Sequence, residues 1–135
     1  MSLTNAFEED ILQHIFNSTT VIGALNLGFV YVALFTADPT ETGSTANEAD
    51  YTSYARVSVA RSGAGWTVSG NTAENAAAVT FPAATGGSNT ITHIALMSAL
   101  TGGTMIWSQA VSSSFAVSSG ITPEFAAGAI TITAD

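Results

Sequence analysis

The chain has 135 residues, a net charge of −8, two arginines, no lysine and no cysteine. The length suits one domain with a core of its own, and the lack of cysteine excludes disulfides and thiolate metal sites. The acidic balance argues against nucleic acid and against an anionic membrane surface, since both need clustered basic side chains. Charged residues make up 9% of the chain, against roughly 25% in ordinary soluble domains, so hydroxyl and amide groups supply most of the polarity. A surface of that kind suits a subunit tiled against neighbours or a secreted monomer, and composition does not separate the two.

In chain order, the first predicted element is an amphipathic helix over residues 5–17. Leu3, Phe7, Ile11, Leu12, Ile15 and Phe16 recur at spacings of three and four and form one apolar stripe. Asn5 followed by Glu8 fits a capping box, and Glu8, Glu9 and Asp10 lie near the positive end of the helix dipole. The stripe either covers one face or open end of a β domain or docks on a neighbouring subunit. No basic segment precedes an apolar run, so no signal peptide is expected. The apolar run from Val21 to Phe35 is about 15 residues, short of the roughly 20 that a spanning helix requires; a soluble protein is expected.

Phe29–Phe35 (FVYVALF) is β-branched and aromatic and is the clearest strand. It ends at Thr36-Ala-Asp-Pro39, where Asp before Pro favours a turn, and the acidic stretch 41–50 reads as an exposed loop. Tyr54–Arg61 alternates as a strand. Gly63-Ala-Gly65 turns the chain into Trp66–Ser69, and Gly70-Asn71 turns it again. Ala76–Phe81 is the next predicted strand, stopped by Pro82. Residues 90–111 then read as a hairpin around Thr101-Gly102-Gly103, with apolar groups on both faces of its first strand. Ser114–Val117 and Ala129–Thr133 complete the series, separated by 120–128.

About seven to eight short strands with turn signals every 8–12 residues predict a mainly β protein, an antiparallel β-sandwich or barrel with one N-terminal helix. We read 1–135 as a single domain, the helix over about 5–17 and the β part over about 29–135. No fixed-period repeat or collagen-like glycine period is present, which argues against a long fibrous shaft.

Reactive constellations are not evident. His14 and His93 lack the spacing or partners of a zinc site or general base and are expected to be structural. No G-x-S-x-G elbow accompanies the serines. The acidic pairs Asp38/Glu41 and Glu48/Asp50 could offer loop oxygens to calcium, but a solvated loop is the better reading. Trp66, Trp107, Tyr31, Tyr51 and Tyr54 are read as core rather than as a sugar platform. Arg56 and Arg61 are the only side chains able to form bidentate carboxylate pairs. Arg56 is expected to pair either inside the subunit or across an interface. No cofactor, metal or catalytic residue is expected.

The segments NAFEEDILQHIF, YVALFTADPTETG, YARVSVARSGAGWTVSGNTAENAAAVTFPAATGG, THIALMSA and GITPEFAAGAITIT resemble small structural proteins of tailed bacteriophages, loosely described as tail-fibre-like or minor virion proteins. The resemblance runs over essentially the whole chain. It implies a non-enzymatic part of the phage particle, assembled in the bacterial cytoplasm. Within that class, a compact β domain suits a capsid decoration or cement protein, a homotrimer gripping the major capsid protein through Phe7, Ile11 and Ile15 on the helix and through Arg56 and Arg61. The alternatives are a tail-associated or fibre-attachment component and a carbohydrate-binding adhesion module.

Overall fold

The structure, a computed structural model, describes residues 2–5, 7 and 28–133. These residues form ten strands: β1 (Ser2–Leu3), β2 (Phe29–Phe35), β3 (Val57–Ala60), β4 (Trp66–Ser69), β5 (Thr72–Asn75), β6 (Val79–Thr80), β7 (Ser88–Met97), β8 (Met105–Ser118), β9 (Glu124–Phe125) and β10 (Thr131–Thr133). They make an antiparallel five-stranded sheet in the order β1-β8-β7-β2-β3, a three-stranded sheet β10-β5-β4 and a pair β6-β9. The large sheet has open edges at β1 and β3, so it is not a closed barrel.

Strand β2 explains the layering. Its apolar residues fall on both faces, as expected for a strand covered on two sides. Val30, Val32 and Leu34 join Ile94, Leu96, Ile106 and Trp107 in the main core, to which Val79 of β6, Phe81 just after it and Ile130 just before β10 are added. Ala33 and Phe35 instead meet Ala95, Met97 and Met105 in a second cluster on the opposite face. The register makes this arithmetic visible: Leu34 stands opposite Ile94 and Ala33 opposite Ala95, so alternate residues of the two strands feed different clusters. Each large side chain fully withdrawn from water in this way contributes about 1.5–3 kcal/mol.

The hairpin read from the sequence is present as β7 and β8. Ser98 N–H donates to the Thr104 carbonyl at 2.9 Å and Thr104 N–H donates to Ser98 Oγ at 2.8 Å, closing a turn in which Gly102 and Gly103 hold φ of +61° and +73°. A Cβ on Gly103 would also lie 2.7 Å from Ser98 Oγ, so both conformation and space require glycine there.

Several boundaries differ from expectation. Residues 114–117 are not a separate strand but the far end of β8, which continues past a bulge where Thr92 alone stands against Val111–Ser114. Strand β5 (TAEN) forms a hairpin with β4, although alternation gave no hint of it. The Ala76–Phe81 strand contracts to β6, paired with β9 inside the stretch read as a connection. Leu3, assigned to the helical stripe, lies in β1 opposite Trp107. The N-terminal helix is not supported by the described residues: Asn5 and Phe7 are described, and the rest of 5–17 lies outside them.

Candidate functional site

Arg56 immediately precedes β3 and is 8% exposed. Its Nε and Nη2 donate to Glu48 Oε1 and Oε2 at 2.7 and 2.8 Å, a bidentate pair, while Nη1 donates to the carbonyls of Ala99 and Gly102, both at 2.7 Å. Tyr54 Oη donates to Glu48 Oε1 at 2.9 Å and accepts Leu34 N–H at 3.1 Å. One buried node therefore ties together the end of β2, the acidic loop, the approach to β3 and the tip of the β7–β8 hairpin. A bare positive charge in this position would be very costly; the charge-assisted bonds make it tolerable.

Electrostatics follow the geometry. Hydrogen bonding to Glu48 holds the Arg56 proton more tightly than usual and outweighs the opposing effect of burial. Burial pushes the Tyr54 phenol far above its ordinary value, and the neighbouring Glu48 carboxylate adds to the shift against the lowering effect of the Leu34 bond. Burial also raises Tyr51. With the folded chain favouring neutral phenols, their contribution to stability is intact below the ordinary tyrosine pKa of about 10 and is lost as pH rises above it. The melting temperature is expected to fall more steeply above about pH 10 in the native protein than in Tyr54→Phe, which thermal denaturation followed by circular dichroism across that range would show.

Beside the node lies a cleft of about 400 Å³, lined by Glu48, Ala49, Tyr54, Ala55, Leu100 and Gly102 among others. A second cleft, of about 350 Å³, is lined by Asp38, Thr40, Glu41, His93 and Gln109 among others. His93 Nδ1 is 2.9 Å from Thr92 Oγ1. Asp38 accepts Thr40 N–H at 2.8 Å and Asp50 accepts from the Asn89 side-chain amide at 2.9 Å, while Glu48 is taken by Arg56 and Tyr54. Among the described residues no group of three or more His, Asp or Glu side chains converges as a metal site would require.

Of the expected interface residues, Phe7, Arg56 and Arg61 are among those described. Phe7 packs partly buried against the main core, Arg56 is turned inward to Glu48, Arg61 is exposed at the end of β3, and Ile11 and Ile15 lie outside the described residues, as does His14. Of the two readings of Arg56, pairing within the subunit is the one observed. Trp107 and Tyr51 are each 2% exposed, and Tyr54 stacks on Phe81 with centroids 6.4 Å apart, so these aromatics serve the core and do not form a sugar platform. Ser112, Ser113 and Ser114 lie exposed in the β8 bulge.

Sequence reasoning missed Asn75. It is 1% exposed, donates from Nδ2 to the carbonyls of Ala77 and Ala126 at 2.8 and 2.9 Å and accepts Ile130 N–H on Oδ1 at 2.9 Å. It also missed the partners of Arg56, because Glu48 sits in a polar loop and the other acceptors are main-chain carbonyls that leave no trace in residue type.

The strongest polar contacts of this β domain, those of Arg56 and Asn75, hold loops to strands. Residues 2–133 match the family described as Podophage GP4 fiber I protein gp80, and the chain belongs to that family. It is thus a structural protein of a tailed-phage particle, in agreement with the resemblance read from the sequence. Comparison with curated proteins finds no match. Among the described residues no helix is long and apolar enough to cross a membrane.

Proposed function

We propose that this chain is a tail-associated component of the phage particle, a fibre protein or the module that attaches a fibre, and that it works by binding rather than by catalysis. The observation that carries this reading is the match of residues 2–133 to a phage fibre family. It favours the tail over the capsid-decoration role expected from compactness alone. The lack of a repeat argued against a fibre shaft, but a fibre also needs compact ends and joints, and a short β domain with pinned loops suits such a place. The adhesion reading loses its first basis, because Trp107 and Tyr51 are core residues.

Gold-labelled antibody against the protein, applied to intact particles and viewed by electron microscopy, tests the assignment. Label is expected at the tail or its fibres. Label distributed over the heads would overturn the proposal and restore decoration of the capsid.

A further inference from the structure

We propose that the outer edge of β8, beyond β1, receives an extended segment of another protein, one that carries basic residues among alternating apolar ones. Strand β1 takes only the start of this edge: Ser2 stands opposite Ser108 and Leu3 opposite Trp107, and Thr4 N–H donates to the Ile106 carbonyl at 3.3 Å. Backbone polar groups alternate between the two sides of a strand, so the N–H and carbonyl of Ala110 point the same way as those of Ile106 and Ser108. Among the described residues no strand continues the line of β1 along β8, which runs on to Ser118. Open edges are blunted by charge, proline or a bulge. The stretch from Gln109 to Ser118 has neither charge nor proline, and its bulge is the one such device along it. What matches an unpaired row of backbone donors and acceptors is another extended backbone.

The space beside the edge selects the side chains of the incoming strand. A cleft of about 300 Å³ lies between β8 and the segment leading into β10, and its apolar lining is Val111, Phe115, Phe125 and Ala129 with the core residues Ile94 and Ile130. Alternate side chains of a strand share a face, so every second residue of a strand seated on β8 meets this lining. Charge selects the rest. Glu124 is the one charged residue among those lining the cleft; it is exposed, accepts the Thr80 hydroxyl at 3.0 Å and forms no salt bridge among the described residues. With a net charge of −8 behind it, the edge attracts a strand bearing lysine or arginine and repels an acidic one. A second copy is poorly equipped for this, since the chain has no lysine and its Arg56 is bound inward to Glu48.

The test is amide hydrogen exchange of the purified full chain, with three capped peptides as probes: Val-Lys-Val-Thr-Val-Lys-Val, the same with glutamate for lysine, and the lysine peptide with its two inner valines replaced by proline. The lysine peptide is expected to slow exchange at Ala110 and along the edge towards Ser118, and to bind at least about tenfold more tightly than the glutamate peptide. The proline peptide, which lacks ladder donors, should slow nothing. Ala110→Pro removes an outward N–H at an exposed position and should abolish the effect at an unchanged melting temperature. Should that variant unfold, Ala129→Trp, also at an exposed position, fills the cleft and should abolish it instead. No slowing by the lysine peptide, equal slowing by the proline peptide, or folded variants that respond as the native chain does would overturn the proposal. Equal binding of the glutamate peptide would overturn the basic partner. Protection of these amides that rises with protein concentration alone would seat a second copy there and overturn it likewise. None of these results bears on where antibody labels the particle, so the tail assignment stands or falls separately.

Discussion

Arg56→Ala is expected to destabilise the fold by about 3 kcal/mol, the lower end of the 3–5 kcal/mol found when one member of a buried ion pair is removed. The lower end applies because the Glu48 side chain keeps 17% exposure and recovers some hydration once its partner is gone. The substitution strands three acceptors together: the Glu48 carboxylate and the carbonyls of Ala99 and Gly102, which Arg56 holds at 2.7 Å. For a domain of this size the loss corresponds to a drop in melting temperature of roughly 10 °C. The double variant Glu48→Gln/Arg56→Met should lose less than the sum of the two single changes, since no charge is left without its counterpart. Arg61→Ala, at an exposed position, is the comparison. Equal melting temperatures for Arg56→Ala and Arg61→Ala would show that the node does not hold the fold.

Asn75→Leu is expected to cost a similar amount, about 3 kcal/mol, by a different route. Leucine keeps the branched outline of asparagine with bulkier methyl ends, and leaves the buried Ile130 N–H and the carbonyls of Ala77 and Ala126 without their side-chain partner; a buried group left unpaired costs roughly 1–3 kcal/mol, and overpacking adds to it. Asn75 also exchanges main-chain bonds with this region: its N–H donates to the Ile130 carbonyl and its carbonyl accepts Gly128 N–H. The residue is in effect the clamp that holds 126–130 against β5. Amide hydrogen exchange should therefore show lost protection at Ile130 first. Unchanged protection there, with an unchanged unfolding midpoint in urea, would mean that the segment is held by its apolar contacts alone.

The strands that could be read from the sequence are those whose residue types carry the pattern. Phe29–Phe35 announces itself by β-branched and aromatic residues, and the β7–β8 hairpin by its alternation and its Gly102-Gly103 turn. Strand β5 could not be read because Thr-Ala-Glu-Asn has little intrinsic strand preference; it is a strand because it lies between β4 and β10 and takes its hydrogen bonds from both. The pair β6-β9 is likewise made by a meeting of segments far apart in sequence. The bulge that keeps β8 continuous through Ser112–Ser114 has no composition signal either, since three serines look the same in a turn as in a strand.

For the candidate site, the sequence singled out Arg56 because it is one of two cations in an acidic chain, and left its partner open. Choosing between a carboxylate within the chain and one on a neighbour depends on where residues 48, 54, 56 and 99–102 end up relative to each other. What the sequence determined by itself was the class of architecture, antiparallel β with a two-sided central strand, because side-chain alternation is a local property that survives without any knowledge of neighbours. What only the tertiary structure decided was which strands pair, where Arg56 and Asn75 find their acceptors, and how far β1 covers the edge of β8. Those are long-range outcomes, fixed when distant segments are brought together and their buried polar groups must be satisfied.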